Sequence, residues 1–292
     1  MDFKQNYIDE IINDRESGAS ELARRCLEMC ADIIWKLQTD GVSEMKNEIE
    51  EFVHALQNAR PSMSPIKNLL QTWLENLKSL PTFTLQEFRL EAMGTAEDLI
   101  ERSKMAVDQA ADSMFKILKP NSRIMTYSYS STVMALMNLC KKSGMRVVVP
   151  EGRPLFEGRK FGKRISDLGI ETTVITESQI GICIKNVDVV VVGADTVVND
   201  GSVVNKAGTS LLALAAQTEN VPVYVVYEKF KKSNQTSAEV VLEKMPEDEL
   251  GVDTGKNLHI YNYYFDITPA ERITAWITED GVRLNKGKKF SK

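Results

Sequence analysis

The chain has 292 residues, 43% of them hydrophobic and 26% charged, an ordinary balance for a soluble globular protein and enough length for two domains. A formal charge of −5 argues against a general nucleic-acid-binding role, because no basic excess is available to neutralise phosphates. The four cysteines form neither a CxxC pair nor a Cys/His cluster with zinc spacing, and no 18-residue apolar stretch or signal-peptide pattern is visible. These features predict a cytoplasmic protein without disulfides, membrane span or metal.

The first part of the chain reads as helices. Ile8, Ile11 and Ile12 begin an amphipathic stripe, and Leu22, Ala23, Cys26, Leu27 and Cys30 repeat the spacing. Cys26 and Cys30 thus read as small buried hydrophobes. A third helix is predicted from about Val42 to Leu56, ending before Asn58-Ala59-Arg60-Pro61, and a fourth over roughly Pro65 to Leu77. Thr84 to Leu118 adds one long helix or a broken pair. The prediction is a helical domain over residues 1–118.

At Lys119-Pro120-Asn121-Ser122 the pattern changes. Short β-rich runs then alternate with helical stretches: Arg123–Tyr127 and Ser131–Lys142, Arg146–Val149 and Gly158–Leu168, Glu171–Ile175 and Glu177–Lys185. Val187–Val192, a helix over Thr209–Gln217, and Val221–Tyr227 follow. Such alternation predicts an α/β domain over residues 121–292, Rossmann-like, with a mostly parallel sheet covered on both faces. Asn234–Tyr263 reads as loops, and Ile273–Thr278 as a final strand before the Asp280-Gly281 turn. The lysine cluster Lys286–Lys292 reads as a solvated tail.

Open parallel sheets bind ligands where loops leave the carboxyl ends of strands. Thr126-Tyr127-Ser128-Tyr129-Ser130-Ser131 follows the first strand and opens a helix, where hydroxyls and N–H groups are able to hold an anion or simply cap the helix. Glu151-Gly152-Arg153-Pro154, with Glu157-Gly158-Arg159 behind it, offers Arg153 as a guanidinium fork for phosphate or as part of a surface turn. Asp195, in Gly193-Ala194-Asp195, stands at the end of the most apolar strand as a general acid or base or a structural acceptor. Asn205-Lys206-Ala207-Gly208-Thr209 suits a hydroxylated, phosphorylated ligand; the alternative is a lysine in a solvated loop. GxGxxG and GxxxxGK[ST] are both absent, the two histidines lie elsewhere, and no cofactor is expected.

Taken together, these stretches resemble the family that unites the alpha, beta and delta subunits of translation initiation factor 2B with two sugar-phosphate isomerases. Those enzymes act on ribose 1,5-bisphosphate and methylthioribose 1-phosphate. Residues 221–231, 265–269 and 278–282 extend the likeness over most of 121–283. Ser17-Gly18-Ala19 is similar to the family's Arg-Gly-Ala phosphate loop, with serine in place of arginine, which marks Gly18 and Ala19 as ligand-binding. Asn58 to Ser62, with Asn68 downstream, resembles the isomerases' Arg-Pro-Thr segment and makes Arg60 a phosphate ligand.

By the same resemblance, Ser128 stands where the isomerases carry a catalytic cysteine, paired with the aspartate that Asp195 matches. Serine is a far weaker acid than a thiol of pKa about 8.5. The resemblance therefore implies a sensing protein of the initiation-factor-2B-alpha type that binds a sugar phosphate or nucleoside monophosphate. The alternatives are a phosphorylated-pentose isomerase using Asp195 and Ser128, or a scaffold with a vestigial pocket. Arg153, Gly158, Asn205, Lys206 and Arg60 are expected to join Ser128 and Asp195 in one cleft between the domains. A homodimer, or a hexamer built from dimers, is the implied assembly.

Overall fold

A computed structural model of the chain describes residues 3–81, 84–253 and 255–287. Residues 288–292, the end of the lysine cluster, lie outside them. The chain divides into two compact units, Met1–Met105 and Ala106–Lys292.

The first unit is helical: α1 (Phe3–Asn13), α2 (Ala19–Lys36), α3 (Val42–Ala59), α4 (Ser64–Ser79) and most of α5 (Leu85–Phe115). Their apolar stripes supply buried Ile11, Leu22, Cys26, Ile33, Ile49, Phe52, Leu70, Trp73 and Leu99. Trp73 satisfies its indole N–H on the Ala92 carbonyl at 3.0 Å, so burying it leaves no orphan donor. Cys26 and Cys30 are free and buried, and burial pushes the Cys26 thiol up to about 12, which makes it inert packing.

The composition shift at Lys119-Pro120 is not where the first unit ends. Helix α5 runs unbroken from Leu85 to Phe115, and its last turns belong to the second core. Ala110, Ala111 and Met114 pack with Ile124, Val133, Leu136, Val147 and Val191.

In the second unit, β1 (Arg123–Met125), β2 (Arg146–Pro150), β3 (Glu171–Ile175), β4 (Val189–Val192), β7 (Val223–Val226) and β9 (Ala275–Thr278) run parallel. With antiparallel β10 (Gly281–Leu284) they form a seven-stranded sheet, in the order β10-β9-β7-β4-β1-β2-β3. Every residue of β4 and β7 is buried, as expected of central strands covered on both faces. Helices α6 (Ser131–Leu139), α7 (Glu157–Asp167) and α9 (Thr209–Thr218) lie between the strands in sequence. This is the predicted α/β, Rossmann-like architecture with a helical part before it.

Three local features refine the expected pattern. Glu177–Lys185 is helical as expected, but as a four-residue α-helix, α8 (Ile180–Cys183), flanked by 3₁₀ turns; Gly181 and three β-branched isoleucines disfavour a longer α-helix. Ile273–Thr278 supplies the expected strand before the Asp280-Gly281 turn, β9, and that turn folds one further strand, β10, back onto it. A second sheet, β5 (Thr196–Val197), β6 (Val203–Lys206) and β8 (Phe265–Thr268), is antiparallel and carries the Asn205-Lys206 pair.

Candidate functional site

Ser128, Arg153 and Asp195 follow β1, β2 and β4, three adjacent strands, at their carboxyl ends. After β1 the chain turns sharply: Ser128 has φ 61°, a left-handed conformation that costs a non-glycine residue roughly 1–2 kcal/mol. That turn aims the Ser128 hydroxyl at Glu157 Oε1, to which it donates at 2.9 Å. Two residues on, Ser130 caps α6 through the Val133 N–H, and a Cβ at Gly193 would stand 2.4 Å from its Oγ. Glycine at 193 thus lets the β4 end approach the α6 start.

Lys206 ends β6. Its side chain is only 8% exposed, and its ammonium lies 3.1 Å from the same Glu157 Oε1 and 4.7 Å from the centre of the Tyr264 ring. The lysine is a buried cation, not a lysine in a solvated loop. Asn205 beside it is buried and donates to Thr209 Oγ1 at 3.1 Å. Glu157, the first residue of α7, therefore gathers Ser128 and Lys206 on one oxygen, while its Oε2 is closed to solvent and has no hydrogen-bond partner. The carboxylate rests against Gly152, where a Cβ would sit 2.8 Å from its Cδ.

Tyr127 braces the β1 loop against the β6–α9 turn, donating to the Ala207 carbonyl at 2.9 Å. Burial, with Glu177, Glu157 and Asp266 nearby, pushes its phenol well above the usual range, so the hydroxyl stays protonated as a donor. At φ 111° Gly208 lies against that ring, and a Cβ there would come within 2.2 Å of the Tyr127 oxygen. Asp266 accepts from the N–H groups of Gly208 (2.7 Å) and Ser210 (3.1 Å), closing the start of α9. Burial raises its carboxyl to about 6, against those two hydrogen bonds, which pull it down.

The other expected residues of the second unit make contacts of their own. Arg153 is exposed; it donates to the Leu250 carbonyl at 2.9 Å and stacks on Phe156, so its guanidinium builds its own loop. Gly158 is buried tightly enough that a Cβ would fall 1.9 Å from the Pro150 carbonyl oxygen. Asp195 is half-buried, and its N–H bonds the Val204 carbonyl at 3.0 Å, at the start of the β5–β6 hairpin.

Within the first unit, Arg60 is buried at the end of α3 and donates to the Asp14 carbonyl at 3.1 Å. Asp14 in turn accepts from the N–H groups of Glu16 and Ser17. Gly18 caps α2 and Ala19 begins it. Arg60 thus borders the loop that leads into the start of α2, and helix N-termini are a setting suited to anions.

Glu157, Tyr264 and Tyr127 were not singled out by sequence reasoning. A glutamate in the first turn of a helix is ordinary, so only its spatial neighbours mark Glu157. Among the described residues no group of three or more His, Cys, Asp and Glu is arranged to hold a metal ion. No helix among them is long and apolar enough to cross a membrane.

An eIF-2B subunit 2-like translation initiation factor of Pyrococcus furiosus is 32% identical, over 95% of this chain and 95% of its own length. Ribose 1,5-bisphosphate isomerase of Methanocaldococcus jannaschii is 28% identical, over 97% of this chain and 92% of the enzyme. The crystal structure of translation initiation factor eIF-2B from Pyrococcus horikoshii OT3 superposes with a TM-score of 0.84 at 29% identity, covering 98% of each chain. A family model for the initiation factor 2 subunits matches residues 15–284, across both units and every site residue expected from sequence. With the fold and the matched length in agreement, the chain belongs to the initiation factor 2 subunit family.

Proposed function

We propose that the protein binds a small phosphorylated ligand, a sugar phosphate or nucleoside monophosphate, in a regulatory or sensing role of the initiation-factor-2B-alpha type. The observation that carries this reading is Lys206, an ammonium withdrawn from water at the end of β6 with the Ser128 hydroxyl beside it. A cation so buried needs a charged partner, which Glu157 supplies within the chain and a bound phosphate would supply in its place. Lys206 holds phosphate, and Asn205 and Asp195 meet ligand hydroxyls. Arg60, with Gly18 and Ala19 at the α2 start, offers a second phosphate-binding element on the first unit. Ser128 supports sensing over turnover, since a hydroxyl does not supply the proton chemistry of a thiol.

The reading extends to a cytoplasmic homodimer, or a hexamer of dimers, which light scattering at micromolar concentration tests. Calorimetric titration with ribose 5-phosphate, ribose 1,5-bisphosphate and AMP tests the binding itself. Micromolar binding of at least one of them without conversion is expected; absence of binding by all three sinks the proposal. The isomerase reading is kept because Asp195 stands at the carboxyl end of β4, where the resemblance puts the enzymes' aspartate. Conversion of ribose 1,5-bisphosphate, abolished by Asp195→Asn, would establish it instead.

A further inference from the structure

We infer that Glu157 is a specificity-determining residue: a resident anion that occupies the protein donors a ligand would use and must be displaced by what binds. This rests on the proposal that Lys206 and Ser128 are ligand contacts. Both donors converge on Glu157 Oε1, the hydroxyl at 2.9 Å and the ammonium at 3.1 Å. The other oxygen, Oε2, is closed to solvent with no hydrogen-bond partner. The carboxylate is therefore seated but only half satisfied. A buried acceptor left unpaired weighs against the seat, so the arrangement holds without being tight. The seat exists because residue 152 is glycine; a Cβ there would stand 2.8–3.0 Å from all three carboxylate atoms.

This arrangement selects ligands by charge. Glu157 neutralises Lys206, so a neutral sugar finds no unpaired cation to bind. A monoanion gains little, because it replaces a tethered carboxylate with an untethered one of equal charge. A phosphate ester carries up to two charges and three acceptor oxygens, so it offers Lys206 and Ser128 more than Glu157 does. The site thus admits a dianionic phosphate ester and turns away neutral polyols and monoanions.

The test is isothermal titration of the full chain and of Glu157→Gln with ribose 5-phosphate, inorganic phosphate and ribose. The isosteric amide keeps an acceptor oxygen but loses the charge that competes. Glu157→Gln is expected to bind ribose 5-phosphate roughly tenfold to a hundredfold more tightly, the worth of a hydrogen bond to a charged group. Inorganic phosphate should gain as well, and ribose should remain unbound by both proteins. Glu157→Ala, checked by circular dichroism, repeats the measurement should the glutamine variant fold poorly, with the same sign expected. Tighter binding by neither variant, or weaker binding by both, overturns the inference, since Glu157 would then be a contact and not a competitor. Failure of every protein to bind any phosphate overturns the parent proposal as well, and the two outcomes are distinct.

Discussion

Replacing Lys206 with methionine removes the cation from a buried pair and leaves the rest of the site nearly unchanged in volume. The pair is 3.1 Å apart, with side chains 8% and 19% exposed. At an effective dielectric constant of about 20, charges at that distance attract by about 5 kcal/mol. Desolvation offsets much of this in the intact pair. Removing one partner forfeits the attraction while the other charge stays buried, a loss of about 3–5 kcal/mol. Glu157 is not fully enclosed and keeps the Ser128 donor, which discounts the loss to about 2–3 kcal/mol. Lys206→Met/Glu157→Gln removes the stranded charge and should regain about 1–2 kcal/mol of that loss. Urea unfolding of the wild type, both single variants and the double variant closes the cycle, compared through midpoints and slopes because two units need not unfold together. Additivity within about 0.5 kcal/mol would falsify the claim that Lys206 and Glu157 form a coupled buried pair.

Asp266, raised to about 6 from 3.8, binds its proton more readily in the folded chain than in the unfolded one. Its contribution to stability is therefore lost as pH rises from about 4 to about 6, by on the order of 1–3 kcal/mol. The difference in unfolding free energy between wild type and Asp266→Asn should change by that amount over the interval, and a flat difference refutes the assignment. Gly158→Ala drives a Cβ to 1.9 Å from backbone at the α7 start, so calorimetry should register a loss of about 3 kcal/mol or more. A loss under about 1 kcal/mol would mean the β2–α7 turn shifts freely. Arg60→Met should weaken ribose 1,5-bisphosphate binding at least tenfold if the first unit holds a second phosphate, since a charged hydrogen bond is worth about that factor or more; unchanged affinity removes Arg60 from the ligand's contacts.

The parallel strands were legible from sequence because central strands are buried on both faces and read as short unbroken apolar runs, Val189–Val192 above all. The helices of the first unit were legible from their stripes, and Ser128 and Asp195 from following strand ends. The β5-β6-β8 sheet was not. Lys206 pairs with Phe265 across a long loop-rich insertion, and no local periodicity encodes so distant a partner. For that reason a residue that reads as a loop lysine is a buried strand cation.

Composition marked a change of structure at Lys119-Pro120, where helix-breaking residues end the helical pattern. Which core the tail of α5 joins is a matter of packing, and Ala110, Ala111 and Met114 show only that they face something apolar until the sheet is in place. Glu157 makes the same point for chemistry. Sequence determined that a carboxylate would begin α7, where the helix dipole favours it. Only the tertiary structure, by closing the β1 loop and the end of β6 over that turn, decided that it would share one oxygen between Ser128 and Lys206. Hydrogen bonds between distant segments depend on where the strands end in space, and that is a property of the assembled sheets.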